Sequence, residues 1–578
     1  MKKLLIYLKD YKKESILAPL FKMLEAIFEL FVPLVMSNVI DVGIANSDKS
    51  YVIKMCMVLI MLGIIGLACS ITAQYFAAKA ACGFATKLRH SLFKHIESLS
   101  FSEMDTIGTS TLITRMTSDI NQVQNGVNMA LRLFMRSPFI VFGSMIMAFT
   151  INAKAALIFF VVIVLLFAVV FGIMHISIPL YKNVQSRLDD VLRLTHENLT
   201  GARVIRAFHK EDEETKQFEE NNISLSKLQM HVGKISALMN PITYTIINIA
   251  IIAILWTGAI QVNAGTLSQG NVVALVSYMT QILNELIKFA NLIVLINKSV
   301  ACGNRIQYVF EIKNSLVEAE NPIYKTDCAS DIVVSFEHVS LRYKNSAQDA
   351  LTDIDFSIHK GETVGIIGGT GSGKSSVVNM IPRFYDATEG EVKINGINVK
   401  DYDVDSLRKI IGVVMQKAVL FKGTIKDNLS WGKADANESE IIDALNVAQA
   451  KEILENKKCG IDSEVAQGGK NFSGGQKQRL TIARAIIRKP EILILDDSAS
   501  ALDYATDAAL RKAIREMENS PTVFIVSQRA SSIQYADKII VLDDGKIAGI
   551  GTHDSLIESC HVYQEIYYSQ FSKDRKEA

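Results

Sequence analysis

The stretch "TVGIIGGTGSGKSS", Thr363 to Ser376, is an apolar run that opens into glycines and closes on Lys-Ser-Ser. It fits the pattern G-x-x-x-x-G-K-[ST], with a strand-like segment before it and a helix-forming segment after it. Its glycines, Gly368, Gly371 and Gly373 among them, let a loop wrap closely around phosphates. Backbone N–H groups from Thr370 to Ser376 point inward at a helix N-terminus, which favours anions. Lys374 is expected to reach the β- and γ-phosphates, the Ser375 hydroxyl to hold Mg²⁺, and Ser372 and Ser376 to complete the loop.

A phosphate loop of this kind needs a second strand that delivers a carboxylate. "EILILDDSASALD", Glu491 to Asp503, provides it. The apolar run ends at Asp496, at the strand end where such sheets bind ligands. Asp496 is placed to hold the metal through water.

Working outward, the chain of 578 residues is longer than one domain normally holds, and 49% of it is hydrophobic. The apolar residues crowd into the part before about Asp331. A net charge of +1 gives no sign of a nucleic-acid partner. The seven cysteines form no CxxC pair or ligand cluster and read as reduced thiols. "MKKLLIYLKDYKKES" lacks a signal peptide's apolar core and cleavage site, and reads as an amphipathic helix on the inner membrane face.

Six stretches are long and apolar enough to span a bilayer, near 16–40, 53–78, 129–151, 155–178, 239–262 and 271–297. The links after spans two and four are long and basic, with Lys87, Arg89, Arg115, Arg187 and Arg203 among their cations. By the positive-inside rule these links, the N-terminus and the C-terminal half are cytoplasmic. Helical periodicity continues through both links, interrupted at Gly108 and Gly201, where a short helix is expected at each turn. Glu25 and Glu29 share one helix face, as do Asn284 and Lys288 beside Glu285. Ionisable groups at membrane depth pair with one another or line a path for substrate, and both readings stay open for these five residues.

"NFSGGQKQRLTIARA", Asn471 to Ala485, lies between the two phosphate motifs. With it the chain resembles the ATP-binding cassette (ABC) transporters, of the exporter type that fuses one membrane domain to one nucleotide-binding domain. The resemblance covers nearly the whole chain, with the motifs in the family's order. It implies an all-α domain of six membrane helices with long cytoplasmic extensions, followed by an α/β P-loop domain. The implied boundaries are an interfacial helix at 1–14, a membrane domain at 15–312, a linker at 313–330 and a nucleotide-binding domain at 331–578.

The resemblance also implies residue roles, with ATP and Mg²⁺ as cofactors. Tyr343 matches the aromatic that stacks on adenine. Gln416 matches the glutamine that senses Mg²⁺ and faces the membrane domain. Phe472, Ser473, Gly474, Gly475 and Gln476 match the signature loop, which closes on ATP held by an opposite subunit. Asp503 belongs to the loop linking the two sites. "TSTLITRMTSDINQV" and "ENLTGARVIRAF" resemble the two cytoplasmic coupling segments.

Beyond Ala466 and Gln467, which replace a usual Gly-Glu, two departures from the family bear on catalysis. The carboxylate after the Mg²⁺ aspartate is normally Glu and is here Asp497; the switch histidine is replaced by Gln528. A general base must come within about 3 Å of the attacking water, and Asp497 is one methylene short. Gln528 can hydrogen-bond but cannot carry a proton as His does. The expectation is a chain that binds ATP but hydrolyses it poorly, while lending an intact signature to a partner. That describes one half of a heterodimeric exporter in the cell membrane, moving a hydrophobic or amphipathic substrate. The alternatives are a homodimer with slow ATPase and an ATP-gated regulatory or channel subunit.

Overall fold

The computed structural model describes residues 2–324, 331–344, 346–455, 457, 459–498 and 500–571. It divides into two compact units, Met1–Glu97 with Ser110–Ile312, and Ser98–Thr109 with Lys313–Ala578. The last part of the expected linker, with Cys328, lies outside the described residues; the six described cysteines are free thiols.

The first unit is all-helical. Its long elements are α1 (Lys12–Asn38), α2 (Lys49–Glu97), α7 (Ala153–Thr200), α10 (Met239–Asn263) and α11 (Gln269–Glu311). The third span is built in pieces, α4 (Thr109–Thr114), a π-turn at Arg115–Asp119, α5 (Ile120–Leu133) and α6 (Arg136–Ile151). Six helices are long and apolar enough to cross a membrane, as the sequence predicts. α2 shows how they pack. Ala73, Ala77, Ala80, Ala81 and Ala85 form a fully buried stripe, while Ile60, Ile64, Leu67 and Ile71 face outward. Small residues let neighbouring helices approach closely, and the large aliphatic ones suit lipid.

The extensions beyond the membrane keep their helices. Short helices do form at both interruptions, α3 (Phe101–Ile107) ahead of Gly108 and α8 (Ala202–Ala207) after Gly201. Three details differ from the sequence reading. The N-terminal segment Lys2–Tyr11 winds as a 3₁₀ helix. Residues Ser98–Thr109 pack with the C-terminal unit, although they fall inside the stretch read as membrane domain. They lie just before the stretch 109–123 that resembles a coupling segment, and it is Phe101 and Asp105 that make the aromatic and acidic contacts within the C-terminal unit.

The second unit has two sheets. The larger has the order Lys546–Gly551, Lys538–Asp543, Thr363–Gly368, Thr522–Val526, Ile492–Asp496, Ile411–Val414. The last five are parallel to one another and almost wholly buried, which is why they read as unbroken apolar runs. The register sets Val526 beside both Asp496 and Ile366. The chain therefore leaves four adjacent strands at one edge, the carboxyl edge where parallel sheets bind ligands. A second, antiparallel sheet (Leu351–His359, Ile332–Leu341, Glu389–Ile394 and Ile397–Asn398) shares a core with the first through Phe336, Phe356, Val364 and Ile366.

Candidate functional site

The residues of the site sit at strand ends or in the loops that follow them. Gly368 ends one strand and starts the glycine loop, which turns into a helix at Lys374. Gly373 has φ +94°, and a Cβ there would meet the Ala350 carbonyl at 2.8 Å, so only glycine fits. Asp496 ends the next-but-one strand, Ser527 and Gln528 follow the strand between, and Gln416 follows Ile411–Val414 by two residues. Tyr343 follows Ile332–Leu341 of the second sheet in the same way.

Together they line one cavity of about 330 Å³: Tyr343, Thr370, Gly371, Gly373, Lys374, Ser375, Ser376, Gln416, Asp496, Asp497 and Gln528. Ala350, Val526 and Ser527 line it too and were missed by the sequence reading. Only Ser527 left a signal there, being the first residue after an apolar strand. Gly368 and Ser372 support the loop from beneath, with Ser372 buried.

The Lys374 ammonium donates to the carbonyls of Gly368 (2.9 Å) and Gly369 (2.5 Å). Burial pushes its pKa down, against the pull of Asp497 and Asp496. Ser375 Oγ donates to Asp496 Oδ1 at 3.0 Å. Asp496 is buried, and this desolvation, with Asp497 alongside, raises its carboxyl above the ordinary range despite the Ser375 bond and Lys374. Tyr343 donates or accepts a 2.9 Å bond with Ser376 and packs edge-on against Tyr385. Gln416 Nε2 donates to Asp497 Oδ2 at 3.3 Å.

This donor set suits Mg²⁺. A hydroxyl, a carboxylate and an amide oxygen are hard ligands, and Mg²⁺ completes its six positions with water and phosphate oxygens. Among the described residues no group of three or more His, Cys, Asp or Glu could hold a metal unaided. The raised Asp496 carboxyl is what a cation would relieve.

The signature residues lie apart. Ser473 caps the helix Gly474–Ile486, accepting from the Gln476 N–H while Gln476 reaches back to the Ser473 N–H. Phe472 is buried beneath. None of the five lines the phosphate cavity of this chain. Gly475 does approach the Ala501 carbonyl, 3.0 Å from where its Cβ would sit, which places the signature against the Ser500–Asp503 loop. Asp503 itself caps the following helix by accepting from the Thr506 N–H.

In the membrane unit, three of the five path candidates converge on Arg136, which that set lacked. Arg136 donates to Glu285 at 2.7 Å and to Glu29 at 2.6 Å, and Glu25 stands 4.0 Å away. Glu285 also accepts from Ser137 at 2.9 Å and from Lys288 at 2.8 Å, while Lys22 donates to Glu25 at 2.6 Å. Three cations thus balance three carboxylates, so the network is paired within itself. Asn284 is exposed and takes no part.

Comparison with known proteins agrees with this geometry. Residues 15–286 match the family described as the ABC transporter transmembrane region, and residues 351–500 match the family described as ABC transporter. The chain is 36% identical over the full length of both chains to "Uncharacterized ABC transporter ATP-binding protein YfiB" of Bacillus subtilis. It is 35% identical to a similarly described protein, MT1311, of Mycobacterium tuberculosis, over 98% of this chain and 97% of the other. It is 32% identical to the "Putative multidrug export ATP-binding/permease protein YgaD" of B. subtilis, over 99% of each. Its fold matches the structure of a bacterial Atm1-family ABC exporter with ATP bound, at TM-score 0.79 and 20% identity over 97% of this chain and 98% of that one.

Proposed function

Because this chain belongs to the ATP-binding cassette transporters, a multi-pass membrane ATPase with its nucleotide-binding domain in the cytoplasm, we propose that it exports a hydrophobic or amphipathic compound as half of a heterodimer. In this reading its own ATP site is a weak hydrolase, and its signature loop serves the stronger site of a partner half-transporter. The observation that carries the proposal is the composition of the phosphate cavity. The two positions that should activate and orient water hold Asp497 and Gln528, while every group that binds phosphate is intact.

The chain's own residues divide the work as follows. The glycine loop and Lys374 hold phosphates, and Tyr343 offers a ring to the base. Asp496 and Ser375 would hold Mg²⁺, with Gln416 beside them. When bound, Mg²⁺ neutralises charge that develops between the β- and γ-phosphates. Asp497 is the remaining candidate base, held by Gln416 and one methylene short of the usual reach. Gln528 can donate a hydrogen bond but cannot shuttle a proton. The signature loop caps its own helix with Ser473 and stays clear of its own chain's cavity, which supports a role toward a second subunit.

The test is ATP turnover by the purified chain alone, beside the double variant Asp497→Glu, Gln528→His. The proposal expects the native chain to bind ATP but turn over slowly, and the variant to gain at least tenfold, about 1.4 kcal/mol in barrier. Brisk turnover by the native chain as a homodimer would overturn the heterodimer reading and leave Asp497 as an adequate base.

A further inference from the structure

The membrane unit contains a cavity of about 900 Å³ that the charge network does not touch. Its walls are the inner parts of two spans, Ile173–Gln185 of α7 and Ala290–Lys298 of α11, closed by Gln122, Ser236 and Met239. Tyr181 and Ser236 join two of the walls through a 3.2 Å hydroxyl contact.

Position along the helices gives the depth. At 1.5 Å per residue, Ile173 lies about 30 Å from the outer end of α7 and Gln185 about 48 Å. For a hydrocarbon core about 30 Å thick, the cavity starts at its inner edge and reaches through the cytoplasmic headgroup layer. α11 agrees, with Ala290 about 31 Å and Lys298 about 43 Å from its outer end.

The lining changes character along that depth. Ile173, Met174 and Ile178 stand toward the core, and Lys182, Gln185 and Lys298 toward the cytosol. No carboxylate lines the cavity. Among the described residues the side chain of neither Lys182 nor Lys298 enters an ion pair or hydrogen bond. Lysines at inner span ends follow from orientation alone. What sets this pair apart is that both wall one cavity free of counter-charge. Ser177, also in the lining, is 7% exposed and its Oγ has no hydrogen-bond partner, an orphan that a ligand acceptor or donor would satisfy.

We propose that this cavity binds an anionic amphiphile drawn from the cytoplasmic leaflet, its acidic head between Lys182 and Lys298 and its apolar body along Met174, Ile178 and Leu295. Both lysines are exposed at the cytoplasmic end; an acidic head gains charge-assisted hydrogen bonds from them, whereas a cationic head is repelled and a neutral one gains neither. That this occupant is also what the chain transports rests on the export reading above; the binding does not.

The experiment uses the full chain in phosphatidylcholine nanodiscs without nucleotide. The probes are fluorescent phosphatidylglycerol, oleate and a dodecyl quaternary ammonium. The two anions should bind saturably and compete with each other, and the cation should not compete. Tighter binding of phosphatidylglycerol would mark a membrane lipid as the source, and tighter binding of oleate a free single-chain acid. Lys182→Gln with Lys298→Gln should weaken anion binding roughly tenfold or more, the loss of charged hydrogen bonds. The paired Lys→Arg variants should retain it. Ile178→Trp, which narrows the apolar part of the cavity without changing charge, should weaken the binding of both anions. Binding of a fluorescent ATP analogue reports that each variant is folded. Equal binding of the cation, or anion binding unchanged in the Lys→Gln pair and in Ile178→Trp, would overturn the proposal. Intact anion binding with no ATP-driven movement of the probe, when the chain is reconstituted in sealed vesicles together with its partner half-transporter, would instead overturn the export reading and leave the site standing.

Discussion

At the scale of single residues, the adjacent aspartates 496 and 497 are held differently. Asp497 has φ +46°, the left-handed region that short Asp and Asn side chains tolerate better than longer ones. Its N–H donates to the Val526 carbonyl at 3.0 Å, which ties the carboxylate to the strand that leads to Gln528. Asp496 is buried and its carboxyl is raised above the ordinary range, by desolvation first and then by Asp497. A folded-state pKa above the unfolded value means that the folded domain binds more protons. The stability tied to this group is therefore present at low pH and lost as pH rises through its folded pKa. At neutral pH the carboxylate is a cost that Mg²⁺ would offset. Asp496→Asn should thus stabilise the nucleotide-free chain by about 1 kcal/mol, roughly 2–4 °C in melting temperature. The same variant should lose the further stabilisation that the native chain gains from Mg²⁺ with ATP. Thermal scans with and without Mg-ATP check both signs, and an unstabilised apo variant would show that burial of this carboxylate is not strained.

At the scale of elements, hydrogen bonds between distant segments do what sequence periodicity cannot reveal. Where α1 ends, Asp41 accepts from the Gly270 N–H at 2.7 Å, from Ser268 Oγ at 2.6 Å and from Ser37 Oγ at 3.1 Å. This ties the outer end of the first span to the start of the sixth. A Cβ on Gly270 would lie 2.3 Å from the Ser37 carbonyl. Gly270→Ala and Asp41→Ala should each destabilise the membrane unit by about 2–4 kcal/mol. Gly66→Ala meets nothing within 4 Å and serves as the silent control in detergent melts. A second tie grips the switch loop. Gln570, at the end of the helix His561–Gln570, donates to the Gln528 carbonyl at 2.8 Å and accepts from the Ala530 N–H at 2.9 Å. Gln570→Ala should leave ATP affinity nearly unchanged but alter turnover several-fold, because it frees the backbone of Gln528 and not a phosphate contact; steady-state kinetics separates the two. The sequence made the phosphate loop, Asp496 and the six spans legible because each depends on local pattern, strand-loop-helix order or apolar length. Arg136 as the hub of Glu29 and Glu285, and Gln570 as the clamp on Gln528, depend on contacts more than 40 residues apart. No periodicity encodes such contacts. The third span, read as 129–151, is also less simple than its apolar run, since a turn at Phe134–Met135 interrupts it just before Arg136.

At the scale of the whole molecule, the question is how a nucleotide site informs the spans, and the segment Ser98–Thr109 supplies a route. It continues directly from α2 and leads into the third span, yet its contacts are with the C-terminal unit. Phe101 packs on Phe384 with ring centres 4.7 Å apart. Asp105 accepts a 2.6 Å hydrogen bond from the Tyr385 hydroxyl, and Tyr385 in turn meets Tyr343 edge-on at 5.1 Å. Burial, then the Asp105 bond, pushes the Tyr385 hydroxyl pKa up, so it remains a donor at any physiological pH. Glu103 is buried in the same segment, accepting from Ser100 and from Ser315 at 3.1 Å, which fixes the helix against rotation. The ring expected to stack on adenine is therefore two contacts from a helix that is covalently part of two spans. Motion of one end should be felt at the other if these contacts persist through the cycle. Phe101→Ala removes this aromatic contact; the ring is 39% exposed, so the packing lost is about 1 kcal/mol, without touching the phosphate loop. The expected outcome is ATP binding within about twofold of native, but loss of ATP-driven substrate movement in vesicles and a changed basal turnover. Tyr385→Phe keeps the ring and removes only the bond to Asp105, so its effect should be in the same direction and smaller. If Phe101→Ala transports as well as the native chain, the signal does not pass through this helix and must be sought elsewhere, first at the exposed segment 197–208 that resembles a second coupling segment, where Val204 and Phe208 face outward.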